Sequence, residues 1–188
     1  IAKDFDRSDL DSAYFASGCF WCVESIYEHV KGVPEAISGF AGGQKPDPSY
    51  REVASGQTNH AETVKVYYNP EQISFDELVE VYYGSQDPTT KGQDPDFGPQ
   101  YRSIIFYQNE EERKIAKALK ADVAENYEEE VVTEIKELKA FYPAKAYHQE
   151  YEKKNPNKAY IRQVSKPRLN EFKEQFPALI EKENPWKP

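Results

Sequence analysis

Two cysteines three residues apart, Cys19 and Cys22, are the only thiols in this 188-residue sequence. They lie in Gly18-Cys19-Phe20-Trp21-Cys22-Val23-Glu24. The apolar run Ala13-Tyr14-Phe15-Ala16 before them reads as a short buried strand, and residues 24–30 carry helical apolar spacing closed by Gly32. Cys19 is therefore expected at a strand-to-helix junction, where unpaired N–H groups and the helix dipole lower a thiol's pKa and favour the attacking thiolate. Cys22, one helical turn on, is close enough for a disulfide if that turn loosens slightly. The pair reads as a nucleophile and its resolving partner. Taken alone, the spacing also admits thiol–disulfide exchange, half of a zinc site, or inert core thiols. Zinc needs four ligands, and only His29, His60 and His148 could complete a set. Two aromatic residues between the cysteines suit a pocket wall better than an open exchange surface.

Three further groups could take part. Glu62 alternates with Val64, Val66 and Tyr68, so it shares their face. If that face is the core, burial raises its pKa, and the protonated carboxyl can donate a proton. His60 precedes it and reads as structural or substrate-binding. Asp96 stands near Tyr101 at the end of a long loop, and Tyr50 lies in an earlier one. Tyrosine hydroxyls stay protonated at neutral pH and can hold a polarised oxygen.

The elements that must position these groups follow from pattern. Strands are expected over 33–40, 61–68, 101–107 and 131–135, the last of them at an edge. Ser74 and Glu77 form a capping box for a helix through Tyr83, and Asn109 caps a charged helix to about Asn126. Residues 44–60 and 84–100 read as long loops, the first with one helical turn near 50–56, and loops of that length tend to be functional. From Phe141 onward helix and loop are expected, with turns at Asn155-Pro156 and Lys166-Pro167. Alternating strands and helices imply an α/β (α+β) fold: a single-domain, two-layer sandwich, its mixed sheet bearing loops gathered around the Cys19 turn. The domain spans 1–188, with 1–10 expected to fray and 156–188 forming a C-terminal helix and loop extension.

A net charge of −9 argues against nucleic acid and anionic membranes as partners. No apolar run approaches the roughly 20 residues of a membrane span, and no signal peptide is visible. The expected compartment is the cytoplasm, although a start at Ile1 also suits an exported, processed form.

Six motifs occur in order: Gly18-Cys19-Phe20-Trp21 with Glu24, Gly39-Phe40-Ala41-Gly42-Gly43, His60-Ala61-Glu62, Asp87-Pro88-Thr89-Thr90, Gln100-Tyr101-Arg102-Ser103 and Phe141-Tyr142-Pro143-Ala144. Together they closely resemble the peptide methionine sulfoxide reductase A family, over roughly residues 12–155. The resemblance implies reduction of methionine-S-sulfoxide, free and in proteins. Cys19 would attack the sulfoxide sulfur, and Glu62 would protonate its oxygen, with Tyr50 and Tyr101 hydrogen-bonding that oxygen. Phe20 and Trp21 would form the methyl pocket, and Asp96 would hold the substrate main chain. The sulfenic acid on Cys19 would condense with a thiol, and thioredoxin would reduce the disulfide. No cofactor or metal is implied, and a monomer is expected.

Two departures stand out. Many members carry glycine where Cys22 stands and resolve with tail cysteines; here Cys22 is the internal candidate. Asn59 replaces the usual glycine, and asparagine tolerates positive φ. Two rival readings remain at this stage: a general disulfide oxidoreductase, and a binding module for oxidised methionine.

Overall fold

Period-two burial builds the sheet of this computed structural model, which describes residues 6–181. Its strands are β1 (Asp11–Ala16), β2 (Glu35–Ala41), β3 (Ala61–Tyr68), the two-residue pair β4 (Gly92–Gln93) and β5 (Asp96–Phe97), then β6 (Ile104–Tyr107), β7 (Glu134–Glu137) and β8 (Phe141–Pro143). The main sheet runs β7-β6-β1-β3-β2-β8, antiparallel throughout except for β6 against β7. β4 and β5 form a separate hairpin.

Side chains on one face pack beneath the helices. Ala13 and Phe15 of β1, Phe40 of β2, Val64, Val66 and Tyr68 of β3, and Ile105 of β6 join the large core there. Tyr14, Ala16, Ala41, Ala61, Ile104 and Phe106 form a smaller cluster with Leu138 and Phe141. Because side chains alternate across a strand, these two sets define the two sheet faces. The helices are α1 (Phe20–Glu28), α2 (Tyr50–Ala54), α3 (Phe75–Gly84), α4 (Glu110–Ala124), α5 (Tyr151–Lys154) and α6 (Lys166–Gln175). Ser49–Glu52 and Ser74–Glu77 capping boxes open α2 and α3, and Asn109 caps α4. This is the expected α/β single domain with a mixed sheet.

Several local expectations need correction. β7 begins at Glu134, so Val131 and Thr133 are buried ahead of the strand rather than within it. Phe141–Pro143, expected as loop, is an edge strand on β2. Gly39 permits it, because a Cβ there would meet Tyr142 O and the Phe141 ring at 2.5 Å. Lys166-Pro167 is not a turn: Pro167 sits in the first turn of α6. A π-helical turn, Ile161–Ser165, leads into that helix. Leu169 and Phe172 of α6 are buried in the main core, so this C-terminal segment is part of the packed body. Arg7–Asp9 form an exposed 3₁₀ turn; the rest of the expected frayed start, residues 1–5, lies outside the described residues, as does 182–188.

Candidate active site

A left-handed Gly18, at φ +88°, turns the chain from β1 into α1. A side chain at that φ would be strained. The turn is clamped from three directions. Gly18 N–H donates to Tyr101 O at 3.1 Å, Tyr82 Oη donates to Ala16 O at 3.0 Å, and Arg168 Nη2 donates to Ser17 O at 3.0 Å. Cys19 follows as the N-cap of α1, its carbonyl accepting from Cys22 N at 3.1 Å and Val23 N at 3.3 Å. The cysteine is thus fixed by backbone contacts before its thiol makes any.

The Cys19 side chain does not cap the helix. Glu62 supplies the missing acceptor: Phe20 N–H donates to its Oε2 at 2.9 Å. Glu62 stands opposite Phe40 in the β2–β3 ladder, on the helix-covered face with Val64 and Val66, and is 2% exposed. Burial pushes its carboxyl up to about 8, against the pull of the Phe20 amide. Near neutral pH this side chain is largely a protonated acid. Tyr50 opens α2 and Tyr101 closes a 3₁₀ turn at Pro99–Tyr101. Burial, and the nearby Glu62 and Cys19, push Tyr50 up to about 12 and raise Tyr101 as well. Both remain hydroxyl donors. Asn59, at φ +58°, makes the expected positive-φ turn into β3, and Arg102 Nη2 donates to its carbonyl at 2.8 Å. The same guanidinium donates to Pro99 O at 2.7 Å, tying the Tyr101 turn to the Glu62 strand entry.

The thiols behave as a pair. Both are free and buried. Burial raises the Cys19 thiol well above its ordinary pKa, overturning the expectation that the helix terminus would lower it. The adjoining Cys19 thiol comes first among the groups that draw Cys22 down, followed by the Arg168 charge and the Ser165 hydroxyl. The two sulfurs therefore titrate together and not as independent thiols.

Aromatic rings wall the site. Phe20 is buried against Phe40, Tyr50 and His148, at centroid distances of 5.7, 6.2 and 5.3 Å. Trp21 is half-buried, stacks on Tyr151 at 3.8 Å, and donates Nε1–H to His148 Nδ1 at 3.3 Å. Buried Glu24 holds that wall in place: Ser38 Oγ and Glu150 N–H each donate to it at 2.9 Å. Gln149 links the same segment to Ser38, accepting from its N–H and donating to its carbonyl, both at 2.8 Å. Asp96, on β5, is half-buried and accepts from Tyr160 Oη.

His60 does not join the group. It is 2% exposed; its Nδ1 accepts from Gly43 N–H at 3.1 Å and its Nε2 bonds Lys45 O at 2.8 Å. With both nitrogens committed it has nothing to offer a substrate, and it latches the 43–45 turn instead. The histidine of the site is His148. Sequence reasoning also missed Tyr160 and Arg168, which act on Cys22, and Tyr151, which stacks on Trp21, all more than 120 residues away with no local motif; the one available signal was the aromatic density of 141–151.

This arrangement sets a buried cysteine beside a carboxyl that burial keeps protonated, within an aromatic wall. A family model for peptide methionine sulfoxide reductase matches residues 11–179. The chain belongs to this family. A reductase named MsrA 1 from Rhodopirellula baltica is 42% identical over 171 residues, covering 90% of this chain and 89% of the relative. The reduced form of Mxr1 from Saccharomyces cerevisiae superposes with a TM-score of 0.75 at 32% identity, covering 84% of this chain and 93% of that one. Mxr1 in complex with Trx2 matches with a TM-score of 0.55 at 25% identity, over 80% of this chain and 92% of that one. The reaction is the reduction of peptide methionine S-sulfoxide. Among the described residues no helix is long and apolar enough to cross a membrane.

Proposed function

We propose that Cys19 is the nucleophile of this methionine sulfoxide reductase, Glu62 its acid, and Cys22 its resolving thiol. The observation that carries the reading is the capping of α1 by Glu62, which brings a protonated carboxyl to the residue next to Cys19. A sulfoxide oxygen leaves sulfur poorly until it is protonated, so nucleophile and acid must act together. Glu62 gives its proton to that oxygen, with the Tyr50 and Tyr101 hydroxyls hydrogen-bonding it. Cys19 attacks the sulfur and passes its proton to the neighbouring Cys22 sulfur. Oxygen ends on Cys19 as a sulfenic acid, and the thioether methionine leaves.

In the second half, the Cys22 sulfur attacks the sulfenic sulfur. The S–S bond forms as the S–O bond breaks, and the departing oxygen leaves as water. An external dithiol then reduces the disulfide by exchange. Thioredoxin fits that role, since the related Mxr1 forms a complex with Trx2. Phe20 and Trp21 line the methyl pocket, and Asp96 accepts from the substrate main chain. Free methionine-S-sulfoxide and oxidised proteins are the substrates.

Methionine formation from the two sulfoxide epimers, with thioredoxin and its reductase, tests this. Turnover of the S epimer that is lost in Cys19→Ser supports the assignment; turnover persisting in that variant refutes it.

A further inference from the structure

Tyr160 has one hydroxyl proton and two acceptors. It donates to Asp96 Oδ2, and its oxygen lies 3.6 Å from Cys22 Sγ. Its ring also meets Trp21 edge-on at 5.9 Å, which fixes the tyrosine over the α1 turn. Asp96 belongs to the β4–β5 hairpin, Cys22 to α1, and Tyr160 to the segment entering α6. One side chain therefore bridges the proposed substrate-holding carboxylate and the proposed resolving sulfur.

We propose that Tyr160 is a positioning residue for resolution, a hydroxyl switch that donates to Asp96 in the free enzyme and to the Cys22 sulfur when Asp96 takes the substrate main chain. This rests on the reading of Cys22 as resolving thiol. A substrate N–H on Asp96 draws charge from the carboxylate and weakens it as an acceptor for the tyrosine proton. Donation to sulfur then favours the thiolate, the form that attacks the sulfenic acid. The other groups facing Cys22 are Cys19 on the same helix, Ser165 and Arg168 from the C-terminal segment, and Glu62 on β3. Arg168 stays in place throughout, because Ser17 O and Ser85 O hold its guanidinium at 3.0 and 2.8 Å.

The test is the thiolate absorbance of Cys22 against pH in a Cys19→Ser background, which leaves one thiol. In the free protein Tyr160→Phe should leave the midpoint in place, and with saturating methionine-S-sulfoxide it should raise the midpoint by about one pH unit. Adding Asp96→Asn, which weakens the competing acceptor, should lower the midpoint of the free protein, and adding Tyr160→Phe on top should cancel that shift. Loss of the Asp96 charge alone would leave the shift in place when the tyrosine hydroxyl is gone. With Cys19 present, disulfide formation from the sulfenic acid should be several-fold slower in Tyr160→Phe below the Cys22 midpoint and equal to wild type well above it, following the thiolate fraction. A midpoint that responds to Tyr160→Phe equally with and without the sulfoxide, or an Asp96→Asn shift that survives Tyr160→Phe, overturns the switch. A wild-type enzyme that turns over without a Cys19–Cys22 disulfide overturns the resolving role instead, and the titration keeps the two failures apart.

Discussion

Phe20 and Glu62 are 42 residues apart in the chain, yet the Phe20 amide donates to the Glu62 carboxyl at 2.9 Å. The contact caps the start of α1 and places an acid with one side chain. It explains why a carboxyl is tolerated in this core: the amide satisfies one oxygen while burial keeps the group protonated.

Glu62→Gln keeps an acceptor for the Phe20 amide but removes the proton. The turnover number should fall by about 10²- to 10⁴-fold with the fold intact, measured as methionine release alongside circular dichroism. Wild-type activity should decline as pH rises through about 8, where Glu62 ionises. A raised folded-state pKa also favours the folded state below the unfolded value and less so as pH climbs. Wild-type stability should therefore drop between about 4.5 and 8, and that slope should flatten in Glu62→Gln.

Cys19→Ser separates chemistry from binding. The hydroxyl fits the space but cannot carry oxygen through a sulfenic acid. Methionine production should be lost altogether, while calorimetry with methionine-S-sulfoxide still shows binding at the aromatic wall.

Glu24→Ala would strand the Ser38 hydroxyl and the Glu150 amide in a buried setting. The loss should be about 2–4 kcal/mol in urea unfolding. Because Glu150 adjoins Tyr151, the Trp21 stack should loosen, raising KM before stability fails at working temperature; tryptophan fluorescence and steady-state kinetics read both effects.

Gly39→Ala drives a methyl into Tyr142 O and the Phe141 ring, each at 2.5 Å. β8 must separate from β2 or the backbone must shift, at a cost of about 1–3 kcal/mol. Proteolytic cleavage near 141–145 should rise in step with the drop in Tm.

Much of this was legible in the sequence where local chemistry decides. β3 follows from its alternation, α3 from its Ser74–Glu77 box, and the Asn59 turn from asparagine's tolerance of positive φ. β8 was not legible, since three residues ending in proline carry no strand signal and its pairing depends on the bare backbone at Gly39. The charge on the thiols was misread for a similar reason. A helix terminus lowers a thiol's pKa, but here Glu62 takes the first amide and the desolvation of a buried Cys19 outweighs what is left. Tyr160 and Arg168 act on Cys22 through tertiary packing alone.

The most direct test of the central claim is a single turnover without reductant, with one equivalent of methionine-S-sulfoxide, read by mass spectrometry for wild type and Cys22→Ser. The expected result is one methionine per enzyme in both, a Cys19–Cys22 disulfide in wild type, and a trappable sulfenic acid on Cys19 in the variant. Methionine formed while Cys19 stays an unmodified thiol in both would contradict it.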